Sequence, residues 1–125
     1  MSHTQNVLVI DDDPAVLNSI EKQLSSLSMN FDFTANPVIG LQKLTLHHYD
    51  LVVCDIRMEP VSGLYVLQQI KLNHPDVPVI ILTGYVDDQL YEQARELQAK
   101  SYLIKPIRKA ALVRAITEAL SPTGE

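Results

Sequence analysis

Polar side chains that could cooperate in phosphoryl or metal chemistry follow four of the short apolar runs of this sequence. They are Asp11 and Asp12 after Val7 to Ile10, Asp55 after Leu51 to Cys54, Thr83 after Val79 to Leu82, and Lys105 after Ser101 to Ile104. If the runs are parallel strands, their carboxyl ends share one edge of a sheet, and these side chains converge there. Clustered carboxylates repel one another, and either raised pKa values or a bound cation relieves that repulsion. Oxygen ligands that leave room for water and phosphate favour Mg²⁺ or Mn²⁺ over a dedicated calcium site.

This set of side chains has the parts required for phosphoryl transfer to a carboxylate. Asp55 could attack an activated phosphorus while a metal and the Lys105 ammonium neutralise the phosphoryl oxygens, and the Thr83 hydroxyl could hydrogen-bond one of them. Each residue alone has a simpler structural explanation, such as helix capping, strand propensity or a solvated surface charge. Their conjunction at several strand ends favours the functional interpretation.

The apolar runs alternate with amphipathic segments five times, which predicts strands joined by helical crossovers into an α/β fold. Phe31 to Thr34 alternates apolar and polar residues and is predicted to be an edge strand, whereas the continuously apolar runs belong in the middle. We therefore expect a (βα)5 flavodoxin-like three-layer sandwich with the parallel strand order 2-1-3-4-5. Helix starts are predicted at polar residues that cap or lead into helices, namely Asp13-Pro14, Asn36-Pro37, Ser62-Gly63 and Asp87-Asp88, with a last helix after Pro106.

Length and composition bound the remaining possibilities. The 125 residues, 46% of them hydrophobic, suit one domain over residues 1–120, with 121–125 as a tail or the start of a linker. A net charge of −5 argues against nucleic-acid binding by this domain. No stretch is apolar enough for a membrane span or a signal peptide, and the single cysteine, Cys54, is expected to be a buried core residue. These features predict a cytoplasmic protein.

Over essentially its whole length the sequence resembles the receiver domains of two-component response regulators. The matching motifs are Val-Leu-Val-Ile-Asp11-Asp12-Asp13-Pro14, Asp50-Leu-Val-Val-Cys-Asp55-Ile-Arg-Met, Ser62-Gly63-Leu64, Val79-Ile-Ile-Leu-Thr83-Gly84 and Tyr102-Leu-Ile-Lys105-Pro106. The resemblance implies a module that accepts a phosphoryl group from a sensor histidine kinase or a phosphotransfer protein. It implies that this module then controls an unknown output domain or protein.

The resemblance also implies a role for each residue at the site. Asp55 would be the phosphoacceptor, Asp12 and Asp55 direct metal ligands, Asp11 a ligand mostly through water, and the carbonyl of Arg57 the last protein ligand. The Lys105–Pro106 peptide would be cis, which proline tolerates.

A second group of roles concerns signalling at the surface. Tyr102 would turn inward as Thr83 moves toward the phosphate, although a half-buried strand tyrosine explains Tyr102 equally well from sequence alone. Partners, including a second copy in a homodimer, would dock on the fourth helix, fifth strand and fifth helix, where Tyr91, Tyr102 and Arg114 could lie.

The sequence departs from the family pattern at several positions. Glu59 stands between Met58 and Pro60 and places an extra carboxylate near the site, where it is either exposed and inert or bonded to metal-bound water. At a position before the last strand where the family usually has a small residue, this sequence has Gln98. Two positions that vary within the family, two residues after Asp55 and two residues after Thr83, hold the large side chains of Arg57 and Tyr85. We expect these side chains to shield the phosphorylated aspartate and so to slow its hydrolysis.

Other classes of function remain as alternatives. A haloacid-dehalogenase-type phosphatase uses an Asp-x-Asp pattern, which Asp55-Ile56-Arg57 lacks. A nucleotide- or flavin-binding module would be expected to have a glycine-rich loop, and no Gly-x-Gly occurs. A structural pseudo-receiver conflicts with the presence of Asp55, Thr83 and Lys105. The histidines His47, His48 and His74 are predicted to lie at helix ends without a role in phosphotransfer.

Overall fold

The computed structural model describes residues 4–84 and 87–121. Within these ranges strands and helices alternate along the chain, as the sequence pattern predicts. The strands are β1 (Asn6–Ile10), β2 (Asn30–Thr34), β3 (Leu51–Asp55), β4 (Val79–Thr83) and β5 (Ser101–Ile104). The helices are α1 (Pro14–Leu24), α2 (Pro37–Leu46), α3 (Gly63–Asn73), α4 (Asp88–Glu96) and α5 (Lys109–Leu120).

All neighbouring strands of the sheet are parallel, and their order is β2-β1-β3-β4-β5. The predicted fold is confirmed, including the edge position of β2. Every residue of β3 and β4 is buried, because helices cover both faces of these central strands. The alternating β2 is partly exposed, as expected for an edge strand.

Local capping chemistry determines where four of the helices begin. The side chains of Asp13, Asn36, Ser62 and Asp87 each accept a hydrogen bond from a backbone amide in the first turn that follows. These four starts match the sequence prediction. The fifth helix begins after Arg108, whose side chain makes no capping hydrogen bond.

Two apolar layers hold the sheet between its helices. Alternate residues of β1 and β3 point to opposite faces, so that Leu8 and Val52 pack beneath α2, α3 and α4. On the other face Val7 and Val53 pack beneath α1 and α5. Cys54 is fully buried in the first layer, in agreement with its prediction as a core residue.

Two backbone features lie in the loops. Gln98 has a φ of 66°, in the left-handed region that glycine adopts most easily, at the position where the family usually has a small residue. The peptide bonds before Pro106 and Pro60 are both cis, and only the first was expected. Within residues 4–84 and 87–121, no helix combines the length and apolar character needed to cross a membrane.

Candidate functional site

Strand register brings the predicted polar side chains to one rim of the sheet. Ile10 pairs with Cys54, so the next residues along the two strands, Asp11 and Asp55, lie side by side. Thr83 pairs with Ile104, the residue before Lys105, and the Lys105 amide donates a hydrogen bond to the Thr83 carbonyl at 2.7 Å. The carboxyl ends of four strands therefore meet around Asp55.

Three carboxylates form a compact cluster at this rim. One carboxylate oxygen from each of Asp11, Asp12 and Asp55 lies within 4.8 Å of the other two. Asp11 is fully buried and Asp55 is 5% exposed, whereas Asp12 faces solvent. Because Asp12 is the exposed member of the cluster, a small ion or an anionic group would approach the cluster past Asp12.

Lys105 is the cation closest to the buried part of the cluster among the described residues. Its Nζ lies 2.8 Å from Asp11 Oδ2 and 3.3 Å from Asp55 Oδ1. Burial alone lowers the pKa of Lys105, but the hydrogen bonds and negative charges of Asp11 and Asp55 outweigh burial and raise it. Lys105 is therefore held as an ammonium between two carboxylates.

The pKa of Asp55 reports how crowded the negative charge is. Burial and the charges of Asp11 and, less strongly, Asp12 raise this pKa, Lys105 lowers it, and the net result is a pKa of about 6. The Ile56 amide donates a hydrogen bond to Asp55 Oδ1 at 3.0 Å, which fixes the orientation of the carboxylate. One ammonium does not fully compensate three carboxylates, so the site has an excess of negative charge that a cation would relieve.

The loop after β3 wraps closely around Asp55. A Cβ at Gly63 would lie 2.0 Å from the Asp55 carbonyl oxygen, so no larger residue fits where α3 begins. The Gly63 amide donates to the Ile56 carbonyl at 2.8 Å, and the Glu59 amide donates to Asp12 Oδ2 at 3.4 Å. The Glu59 side chain is exposed, and its backbone amide rather than its carboxylate contacts the cluster.

Thr83 and Tyr102 extend the site toward α4. Thr83 is fully buried at the end of β4. The hydroxyl of Tyr102 is buried and makes no hydrogen bond of ordinary geometry within the described part of the chain. Burial raises the pKa of Tyr102, the neighbouring Thr83 side chain opposes that rise, and the ring packs edge-on against Tyr91 with centroids 5.1 Å apart. Tyr102 thus points inward and is close to Thr83.

Arg57 makes a contact that the sequence did not predict. Its guanidinium Nη2 lies 3.6 Å from Oδ2 of Asp87, at the start of α4. The sequence pattern identifies Asp87 as a helix cap, but it carries no signal that the loop after β3 reaches this helix. Tyr85, the other residue expected to shield the acceptor, lies outside the described residues.

His47, His48 and His74 lie away from the carboxylate cluster, as predicted. His47 and His74 cap the carboxyl ends of α2 and α3, which lie near the amino ends of the parallel strands. His48 contacts Asp50 there, with 3.1 Å between Nε2 and Oδ1. Within the described ranges, the cluster of Asp11, Asp12 and Asp55 is the group of carboxylates arranged to hold an ion.

Comparison with known proteins identifies the family. A family model for the response regulator receiver domain matches residues 7–117. The transcriptional regulatory protein QseB of Haemophilus influenzae is 40% identical over 83% of this chain and 47% of its own length. A CheY-like receiver domain from Methanospirillum hungatei is 25% identical with a TM-score of 0.90, covering 94% of both chains. The response regulator TrrA of Thermotoga maritima, solved in complex with Mg²⁺-BeF, is 27% identical with a TM-score of 0.85, covering 94% of this chain and all of TrrA.

The chain spans about a quarter to a half of the length of the curated relatives that it matches. Those relatives are transcriptional regulatory proteins. The family match, the strand order and the structural neighbours agree with one another, and the chain belongs to the receiver-domain family of two-component response regulators, which are signalling modules rather than conventional enzymes.

Proposed function

We propose that this receiver domain accepts a phosphoryl group on Asp55 and transmits the change to the surface formed by α4, β5 and α5. The donor would be a sensor histidine kinase or a phosphotransfer protein, and the reaction would require Mg²⁺ or Mn²⁺. The observation that carries the proposal is the crowding of Asp11, Asp12 and Asp55 around a single ammonium, that of Lys105.

The residues at the rim fit a small divalent cation. Asp11, Asp12 and Asp55 offer hard oxygen ligands within a few ångströms of one another, and the charge excess reflected in the raised pKa of Asp55 favours binding of a cation. The backbone carbonyl of Arg57 would complete the protein ligands. A bound Mg²⁺ would supply positive charge to the oxygens of the incoming phosphoryl group.

The chain's own residues account for the transfer step. A carboxylate oxygen of Asp55 attacks the phosphorus of a phosphohistidine, the P–N bond breaks, and its electron pair returns to the imidazole nitrogen of the donor. Lys105 places an ammonium beside the attacked group and neutralises charge on a phosphoryl oxygen. Because the pKa of Asp55 is about 6, the nucleophile is mostly ionised at pH 7 even without a metal.

The phosphoryl group on Asp55 would then change the surface formed by α4, β5 and α5. The Thr83 hydroxyl can donate a hydrogen bond to a phosphoryl oxygen, a contact that exists only after transfer. Tyr102 lies beside Thr83 and packs against Tyr91 on α4, so movement of Thr83 reaches the outer face of α4 and β5. That face, which includes Arg114 on α5, would bind an output partner or a second copy of the chain.

The related proteins support both parts of the proposal. TrrA binds a Mg²⁺-BeF complex, an analogue of the kind of ligand proposed for the Asp55 site. The similar transcriptional regulators are two to four times as long as the matched segment, so in them further segments accompany the receiver domain. An output segment or protein that regulates transcription would be the corresponding partner here.

Incubation with acetyl phosphate and Mg²⁺, followed by intact-mass measurement, tests the proposal. The wild type should gain the mass of one phosphoryl group, and this gain should disappear in EDTA and in Asp55→Asn. The Asp50→Asn variant is a matched control, because it removes a carboxylate immediately before β3, at the end of the strand opposite to Asp55. Absence of phosphorylation in the wild type, or an equal gain in Asp55→Asn, would overturn the proposal.

A further inference from the structure

An ion pair joins the loop that follows β3 to Asp87, the N-cap residue of α4. Arg57 lies two residues after Asp55, and its Nη2 is 3.6 Å from Oδ2 of Asp87. The two side chains are 53% and 34% exposed, so water screens their attraction. Exposed pairs of this kind contribute little to stability and are readily broken.

The two carboxylate oxygens of Asp87 make different contacts. Oδ1 accepts hydrogen bonds from the amides of Gln89 and Leu90, at 2.9 and 3.1 Å, and so caps α4. Oδ2 faces Arg57. Both charges also influence the buried Tyr102 hydroxyl, where Asp87 raises the pKa and Arg57 lowers it. The pair therefore lies between the acceptor site and the start of the surface formed by α4 and β5.

A phosphoryl group on Asp55 would compete with Asp87 for the guanidinium. It carries up to about two negative charges and several acceptor oxygens, whereas Asp87 offers a single charge through one oxygen at 3.6 Å. Charge-assisted hydrogen bonds from arginine to phosphate are stronger than a screened contact of this length. Arg57 is two positions along the chain from Asp55, a span of about 7 Å at most, which the long arginine side chain can cover.

We propose that Asp87 is a positioning residue that holds Arg57 away from the acceptor until the phosphoryl group draws it back. This inference rests on the proposed function of Asp55. Opening the Arg57–Asp87 pair is then part of the free-energy change on phosphorylation, so the pair lowers the apparent affinity of the site for a phosphoryl group. It also gives Arg57 a different contact in each state, with Asp87 before phosphorylation and with the phosphoryl group afterwards.

The Asp87→Asn substitution separates the two tasks of Asp87. Asparagine caps helices as well as aspartate does, so α4 should keep its first turn, but the charge that holds Arg57 is lost. Slow amide hydrogen exchange at Gln89 and Leu90 would show that the cap is intact. Glu92→Gln is the matched control, because it removes one carboxylate from another exposed arginine pair on the same helix, with Arg95 at 3.1 Å.

Titration with beryllium fluoride in saturating Mg²⁺, followed by calorimetry, tests the inference. Asp87→Asn should bind about two- to fourfold more tightly than the wild type, the range expected for loss of an exposed ion pair, and Glu92→Gln should bind like the wild type. In an Arg57→Gln background, Asp87→Asn should have no further effect.

Unchanged or weaker binding by Asp87→Asn, or the same gain in the Arg57→Gln background, would overturn the role of Asp87 while leaving Asp55 as the acceptor. Failure of the wild type to bind beryllium fluoride at all would instead overturn the proposed function, and the role of Asp87 with it.

Discussion

At the amino end of the sheet, Asp50 accepts a hydrogen bond from the Asn6 amide at 2.9 Å and lies 3.1 Å from His48 Nε2, while Asn30 donates to the Asn6 side chain at 3.0 Å. At the carboxyl end, Asp11, Asp12 and Asp55 face one another around Lys105. Polar groups at the first end have complementary partners, whereas at the second end three carboxylates repel one another and share one ammonium. The comparison shows that polar residues at a sheet rim become a candidate site when their mutual interactions leave charge uncompensated.

Removal of the ammonium should have the largest effect at the carboxyl end. Lys105→Met deletes the positive charge 3.3 Å from Asp55 Oδ1, and groups that stabilise developing oxyanions typically contribute about a hundredfold or more in rate. We expect phosphorylation by acetyl phosphate to slow by about that factor, measured as the rate of mass gain. Lys109→Met, at the exposed start of α5, is the control and should retain the wild-type rate. A Lys105→Met rate within threefold of the wild type would contradict this role.

The close approach of α3 to the backbone of Asp55 should make the carboxyl end intolerant of a single methyl group. In Gly63→Ala the new Cβ would lie 2.0 Å from the Asp55 carbonyl oxygen and 2.6 Å from Ile56 Cα, so the backbone must shift. We expect the free energy of unfolding in urea to fall by about 3 kcal/mol. Gly84→Ala is the matched control, because a Cβ at Gly84 would meet nothing within 4 Å. This substitution should change the free energy of unfolding by less than about 0.5 kcal/mol. Equal effects of the two substitutions would contradict the close packing.

Removal of one carboxylate should have opposite effects on stability at the two ends. Ionised Asp55 destabilises the fold, because its pKa is raised from 3.8 to about 6 by burial and by Asp11. This destabilisation is absent below about pH 4 and is fully present above about pH 6. Asp55→Asn should therefore raise the free energy of unfolding by about 1 to 2 kcal/mol at pH 7.5 in EDTA, a value reduced for solvent screening, and by nothing at pH 4.

At the amino end, Asp50→Ala removes the acceptor of the Asn6 amide and should lower the free energy of unfolding by about 1 kcal/mol. Urea titrations of both variants at the two pH values provide the measurement. If Asp55→Asn destabilised the protein at pH 7.5, or stabilised it equally at pH 4, the two ends would not differ in the way proposed.

The order of the elements and the set of rim residues could be predicted from sequence because both depend on local signals. Helix caps such as Asp13 and Asp87 act on amides two or three residues away, and the apolar runs identify the strands directly. Parallel pairing then brings the residue after each strand to the same edge, so the convergence of Asp11 and Asp55 follows from the fold.

Contacts between loops could not be predicted, because they depend on how separate segments approach one another. The Arg57–Asp87 pair joins residues in different loops, and the amide of Glu59 reaches Asp12 across 47 positions of sequence. The sequence marks Gly63 as part of a helix start but gives no sign that its missing side chain makes room for the Asp55 backbone. The positive φ of Gln98 is likewise a property of one loop, adopted despite a residue type that disfavours it.

Titration with Mg²⁺ followed by amide chemical shifts tests most directly whether the uncompensated charge forms a cation site. Saturable shifts should appear at Asp11 to Asp13 and at Asp55 to Glu59, with none at Asn6, Asn30 or Asp50, and Asp55→Asn should weaken the binding. Shifts at the amino end of the sheet, or no saturable change at the carboxyl end, would contradict the account.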